Sequence, residues 1–243
     1  MRRCNAIKQE IVTSSHEEAF LFLVSVPDAG VLAVFSLGLA FFHVDPLPCR
    51  GHYNQEHFPG VQSYQSEVSD PAAIASHYQR VTHDFPDLNV LINNAGVYTD
   101  SHAGTFDNIE YEAWVRAFLV NTMAPLKMAQ AFASNIARGS QKTIVTISSK
   151  MGSITDNTGG GSYMYRSSKA AVNMVVKTLA IDLKRSGVIA VVFHPGWVKT
   201  DMGGPKALIS VNQSVSGMRQ VISRLMMADS GKFFAYDGKL VPW

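Results

Sequence analysis

From residue 60 onward short apolar runs alternate with segments of helical period, and this alternation limits the possible folds more than any other feature of the chain. A strand, a helix and a second strand in that order make the βαβ unit, whose strands pair in parallel while the helices cover the sheet. Residues 61–68 read as the first such strand. Asp70-Pro71 then marks a helix start: a side-chain oxygen that can cap, followed by a residue with no N–H to leave orphaned. Ile74, Tyr78 and Val81 recur behind it at helical spacing. Residues 88–92 form a short strand, ended by Asn93-Asn94-Ala95-Gly96. A long helix over 111–137 puts Trp114, Ala117 and Phe118 on one face. A strand over 143–147 is followed by a helix over 165–185, closed where Gly187 can take the left-handed cap. A buried strand over 188–193, broken by Pro195-Gly196, and a last strand over 232–236 complete the series. The expected architecture is α/β, a single domain with a doubly wound parallel sheet in three layers and ligands beyond the carboxyl ends of the strands.

The chain has 243 residues, 47% of them apolar, enough for one domain with a sizeable core. A formal charge of only +2, without a Lys/Arg stripe, gives no sign of a nucleic-acid partner. Cys4 and Cys49 are the two cysteines, too few for a disulfide framework, and they fit a reducing, cytoplasmic compartment. No Cys/His cluster has metal-ligand spacing.

Residues 1–60 do not continue the pattern. They read as an atypical N-terminal segment in place of a first βαβ unit, ahead of a core over 61–243. Within them residues 20–44 are almost wholly apolar and as long as a transmembrane helix. Pro27-Asp28 splits that run, and Asp is costly in a bilayer, so a buried strand and helix are expected rather than a membrane span. The strand would be 20–26, with a helix from Val31.

Tyr165 and Lys169 lie four apart on a predicted helix and therefore share a face. A free phenol titrates near 10 and is a poor acid or base at neutral pH. A nearby ammonium favours the phenolate and turns the phenol into a usable proton donor or acceptor beside a carbonyl or alcohol. Ser149, at a strand end, can hold a substrate oxygen. Asn121 sits in mid-helix, where asparagine is a poor filler, and its amide can anchor a water that relays protons to Lys169. Alone, Tyr-x-x-x-Lys is a weak pattern in a chain with 8 tyrosines. Plainer readings exist: Tyr165 as a core tyrosine, Lys169 as a solvated lysine, Asn121 as a helix irregularity and Ser148-Ser149 as loop.

The order and spacing of four motifs resemble the short-chain dehydrogenases/reductases: Asn93-Asn94-Ala95-Gly96, Ile147-Ser148-Ser149, Tyr165-x-x-x-Lys169 and His194-Pro195-Gly196-Trp197-Val198-x-Thr200. The run Thr200-Asp201-Met202-Gly203-Gly204 and the ending from Gly231 to Gly238 resemble the branch of C-factor-like and sniffer-like proteins, close to carbonyl reductases. The resemblance spans 67–243. It implies a Rossmann-type fold and an NAD(P)-dependent oxidoreductase acting on a small carbonyl or alcohol. Tyr165 is then the acid/base, and Lys169 lowers its pKa and bonds the nicotinamide ribose. Ser149 orients substrate and Asn121 holds the relay water. Asn94, Ala95 and Gly96 line the adenosine side of the cofactor cleft, and Glu67 and Val68 stand where the family often has Asp and an apolar residue against adenine. Pro195, Gly196, Val198 and Thr200 lie against the nicotinamide, and the substrate sits under a loop over 201–217, with Met202, Ile209 and Met218 nearby. Relatives are dimers or tetramers through their long helices, whereas carbonyl reductases can be monomers, so a homodimer and a monomer both stay open.

The chain departs from the family in two places. Ser149 and Tyr165 are farther apart than is common, and the excess falls in 156–162, with three consecutive glycines, expected to form a longer loop beside the substrate. The glycine-rich turn that lets backbone N–H groups approach the cofactor pyrophosphate is absent from 1–60. The closest substitute, Pro27-Asp28-Ala29-Gly30, offers one glycine and a carboxylate that would repel phosphate. Three explanations stand: a mis-joined or frame-shifted N-terminus, with family-like sequence resuming near Cys49-Arg50; a diverged domain that binds cofactor weakly or not at all; or a segment that anchors the protein to a membrane or partner. The second of these leaves a non-enzymatic sensing or signalling protein as the alternative function. Cys49-Arg50 resembles the place where NADP-using carbonyl reductases carry Arg, which favours NADP over NAD.

Overall fold

The computed structural model describes residues 20–23, 70–100, 106–200 and 202–243. The expected strand over 61–68, Glu67, Val68, both cysteines and the stretch from Val24 to Gly60 lie outside these residues.

Helix α1 (Pro71–Asp84) begins as its sequence dictates. Asp70 accepts the Ala72 amide at 2.9 Å, and Pro71 occupies the first turn. Among the described residues five strands, all parallel to their neighbours, follow one another across a sheet in chain order: β1 (Phe20–Leu23), β2 (Val90–Asn93), β3 (Thr143–Ile147), β4 (Ile189–His194) and β5 (Phe233–Ala235). The residues that open the apolar run of 20–44 are thus sheet, in register with β2, as the first-strand reading expects. Parallel neighbours need long crossovers. Here these include α2 (Tyr111–Phe118) and α3 (Ala124–Arg138) between β2 and β3, α4 (Tyr163–Asp182) between β3 and β4, and α5 (Val211–Ile222) between β4 and β5.

Alternation along the strands builds the three layers. Leu91, Ile144, Ala190 and Val192 point to one face, where Ile74 and Val81 of α1, Phe132 of α3 and Val172 and Val176 of α4 meet them. Val90, Ile92, Val145, Val191 and Phe193 point to the other, under Met218, Val221 and Ile222 of α5. Because both faces are covered, the strands β2, β3 and β4 are buried along almost their whole length rather than alternating buried with exposed. Phe132 is wholly buried, and removing such a ring costs about 3–5 kcal/mol.

Two elements differ from expectation. The helix expected over 111–137 is interrupted at Leu119–Met123 by a wider π turn. Pro125 accounts for it: proline has no N–H for the carbonyl four residues back, which belongs to Asn121. The loop expected over 201–217 is helix from Val211, started by Ser210, whose hydroxyl accepts the Gln213 amide at 3.1 Å. Met218 is therefore core beneath the sheet, and Met202 stands exposed on the preceding loop.

Candidate active site

Parallel register brings the carboxyl ends of the strands to one edge. Asn93 pairs with Thr146, Ile147 with Phe193, and His194 with Ala235. The chain leaves that edge at Asn94, Ser148 and Pro195, so three of the sequence motifs converge there.

Tyr165 lies in the first turn of α4, and Lys169 one turn later, with its Nζ 5.7 Å from the centre of the tyrosine ring. The plainer reading of Lys169 as a solvated lysine fails, because it is only 3% exposed; Tyr165, 8% exposed, is more deeply buried than the half-buried core tyrosine of its plainer reading. Lys169 Nζ donates to the Ile147 carbonyl at 3.0 Å, one hydrogen bond of the three an ammonium can give. Burial pulls its pKa down to about 8. The phenol moves the other way from the sequence expectation. Burial pushes Tyr165 up to about 12, the Ser149 hydroxyl offsets part of that, and Tyr98 adds to it. Desolvation of the phenolate outweighs the ammonium, whose hydrogen bond goes to a carbonyl instead.

Ser149 starts a short turn, Lys150–Gly152, and its Oγ accepts the Met151 amide at 3.1 Å. That turn lies against α4 at Lys169: a Cβ on Gly152 would come within 2.8 Å of Lys169 Cβ. Glycine there lets Ser149 approach the phenol. Ser148, buried, donates to the Lys169 carbonyl at 3.3 Å.

Asn121, 1% exposed, occupies the π turn. Its Oδ1 accepts the Val97 amide at 2.8 Å, and its Nδ2 donates to the Val97 carbonyl and to Ser168 Oγ, both at 2.9 Å. Both amide hydrogens are committed, so the side chain is a clamp between the segment after Gly96 and helix α4. A Cβ on Gly96 would lie 3.4 Å from Lys169 Nζ and 3.5 Å from Asn121 Oδ1, which places Gly96 directly over the lysine. Asn94 is half-buried and Ala95 buried at the same strand end.

Pro195, Gly196, Val198 and Thr200 extend beyond β4. The Pro195 carbonyl accepts from Ser214 of α5, Val198 bridges to Ile209, and Thr200 Oγ1 accepts the Gly203 amide at 3.0 Å. A Cβ on Gly196 would collide with Ile209 and Tyr236. These contacts fasten the segment to its own loop and to α5. The excess residues between Ser149 and Tyr165 do form a loop. Gly160 (φ 61), Gly161 (φ 65) and Ser162 (φ 49) are all left-handed there, which glycine adopts freely.

Sequence reasoning missed Tyr98 and Asp100. Tyr98 packs on Tyr165 with ring centres 5.0 Å apart, and its hydroxyl meets Ser162 Oγ at 2.8 Å. Asp100, 7% exposed, accepts the Met164 and Tyr165 amides at 3.2 and 2.8 Å. It supplies from another part of the chain the cap that Ser162 does not give to α4. No local pattern signals either residue, since both act across more than sixty positions.

A family model for short chain dehydrogenases matches residues 50–208. The chain belongs to the short-chain dehydrogenase family. Within the family it falls in the C-factor-like and sniffer-like branch. C-signal of Myxococcus xanthus is 42% identical over 156 residues, covering 64% of this chain and 93% of that protein. The NADPH-bound carbonyl reductase from chicken fatty liver is 38% identical, with a TM-score of 0.69 over 73% of this chain and 75% of that one. The carbonyl reductase Sniffer of D. melanogaster is 29% identical, with a TM-score of 0.73 over 78% of this chain and 81% of that one. These short-chain dehydrogenase relatives share the Rossmann-type arrangement described above. Among the described residues no helix is long and apolar enough to cross a membrane.

Proposed function

We propose that the chain is an NAD(P)-dependent oxidoreductase that reduces a carbonyl on a small apolar substrate, with NADP favoured over NAD. The observation carrying this reading is the convergence of Tyr165, Lys169, Ser149 and the Asn121-held strand end at one edge of the sheet. The residues present fit the nicotinamide half of such a cofactor. Gly96 leaves open the space a side chain would fill beside Lys169 Nζ, and the buried ammonium has hydrogens to spare for ribose hydroxyls. Asn94 and Ala95 are proposed to continue that wall, and Pro195, Gly196, Val198 and Thr200, beyond β4, to lie against the nicotinamide. Glu67 and Val68 are proposed for the adenine end from sequence alone.

The cofactor, when bound, supplies the hydride. Ser149 Oγ holds the carbonyl oxygen of the substrate, and Tyr165 Oη gives that oxygen its proton. A phenol pushed up to about 12 stays protonated through the neutral range, which suits a donor in reduction better than a base in alcohol oxidation. Lys169 keeps the site cationic and so eases the loss of that proton. Asn121 offers a relay water its main-chain carbonyl, whose usual helical donor is missing at Pro125.

The test is titration of the purified chain with NADPH and NADH, read by nucleotide fluorescence, followed by a panel of carbonyl substrates. Micromolar binding and turnover that Tyr165→Phe abolishes are expected. Unchanged turnover in that variant overturns the reading. The similarity to C-signal favours a second reading, a signalling or sensing protein that keeps the fold without turnover. A folded chain that binds nucleotide and reduces nothing on the panel would support it.

A further inference from the structure

The residues from Val97 to Asp100 form a short bridge held at both ends. Asn121 clamps the backbone of Val97 on one side. On the other, the Asp100 carboxylate takes two amides of α4. Tyr98 stands between these anchors, so its ring cannot drift from the ring of Tyr165. It is 37% exposed and packs at a tilt of 59° against the ring of Tyr165, the proposed proton donor. Its hydroxyl is spent on Ser162.

Ser162 is the last residue of a loop with the opposite character. Three glycines precede it, and a Cβ added to any of them would find no neighbour within 4 Å. Gly160 is tied by its amide to Asn157 Oδ1, within the same loop, and by its carbonyl to Arg166. The Tyr98–Ser162 hydrogen bond joins this loop to the cofactor side of the cleft. A rigid post on one side and a glycine hinge on the other are the parts of a latch.

We propose that Tyr98 is a specificity-determining residue: its ring forms one wall of the substrate site beside Tyr165, and its bond to Ser162 holds the glycine loop closed against bulky carbonyl substrates. This rests on the carbonyl-reductase reading above for its substrate, though not for its latch. The bond is half exposed and neutral, so its loss shifts the open fraction of the loop by roughly fivefold.

Two readouts test it. With a small and a bulky aromatic ketone, Tyr98→Phe and Ser162→Ala should each raise the ratio of kcat/KM for bulky over small substrate by roughly fivefold, and the double variant should go no further. Hydrogen–deuterium exchange of the peptide over 156–162 should speed up by a similar factor in both variants, with α4 unchanged. An unchanged substrate ratio in an active enzyme overturns the specificity role. Unchanged exchange overturns the latch, and this second readout needs no turnover. A wild-type chain that reduces neither ketone overturns the carbonyl-reductase reading and the specificity role with it, while faster exchange would still establish the latch.

Discussion

The floor of the cleft and its roof are built in opposite ways. The floor is over-determined: Asn121 makes three hydrogen bonds, Asp100 two and Lys169 one, all among buried groups. The roof at 156–162 ends in three residues in left-handed conformation, Gly160, Gly161 and Ser162, and an exposed hydroxyl pair joins it to Tyr98. Groups that move a proton need fixed distances, and a buried polar network supplies them. Groups that admit substrates of differing shape need a surface that can give.

The sharpest way to break this contrast is at the proposed proton donor, Tyr165. Tyr165→Phe keeps the ring and its packing on Tyr98 and removes only the hydroxyl, so kcat should fall by about 10³ with substrate KM little changed. A residual rate close to wild type would mean that the floor holds some other acid. Next comes Asp100→Ala, which uncaps two amides of α4. It should lower stability by about 1–2 kcal/mol and kcat by roughly tenfold, whereas Asp100→Asn, which keeps an acceptor, should recover most of both. Equal loss in the two variants would show that charge, and not capping, is what the floor requires.

The pH profile probes the same region. Lys169 is charged below about 8 and Tyr165 protonated below about 12. Carbonyl reduction should therefore be flat through neutrality and decline as pH rises through about 8, when the ammonium is lost before the phenol titrates. A plateau reaching pH 10 in kcat/KM would remove Lys169 from the reaction. The roof should respond least. Gly160→Ala forces a Cβ into φ 61 but into empty space, so its cost is local, about 1 kcal/mol. KM should change a few-fold and kcat hardly at all, as steady-state kinetics would record.

Buried histidines extend the comparison to stability. His77 is driven down to about 4 by burial and by Arg80, against an ordinary 6.5. Its neutral form is the one that fits beside Phe132. The unfolded chain takes up the proton first, so this contribution is intact above pH 6.5 and lost as pH falls from 6.5 toward 4. The loss is about 3 kcal/mol by linkage. His77→Leu should flatten that limb of a chemical-denaturation series, and an unaltered slope would assign the acid sensitivity elsewhere.

Within the described residues the order of strands and helices was legible because each obeys local physics: Asp70-Pro71 starts a helix, and 143–147 is a short β-branched run; the left-handed Gly187 closes not α4, which ends at Asp182, but the short 3-10 turn Lys184–Ser186 behind it. Motif spacing pointed to Tyr165, Lys169 and Ser149, and the mid-helix asparagine to Asn121, as the candidates that the fold gathers at one sheet edge. Three things were not legible. The direction of the Tyr165 shift depends on burial, which no spacing records. The π turn follows from Pro125 meeting Asn121 inside a helix, a pairing that helical periodicity does not see. Tyr98 and Asp100 act on α4 from 64 and 65 positions away, and a sequence read in windows contains no such term.

The Asp100 cap has a consequence for how the protein comes into being. Helix α4 carries the whole Tyr-x-x-x-Lys motif, yet the cap that fixes its first turn comes from a distant part of the chain, the segment after the neighbouring strand β2. Contacts of such separation form late, once the loops between them have closed. A nascent chain or a fragment with α4 alone would hold the motif in a frayed first turn. Tyr165, the proposed proton donor, would come into register only when β2 and β3 have met, so turnover would report complete folding and a half-made molecule would stay chemically silent.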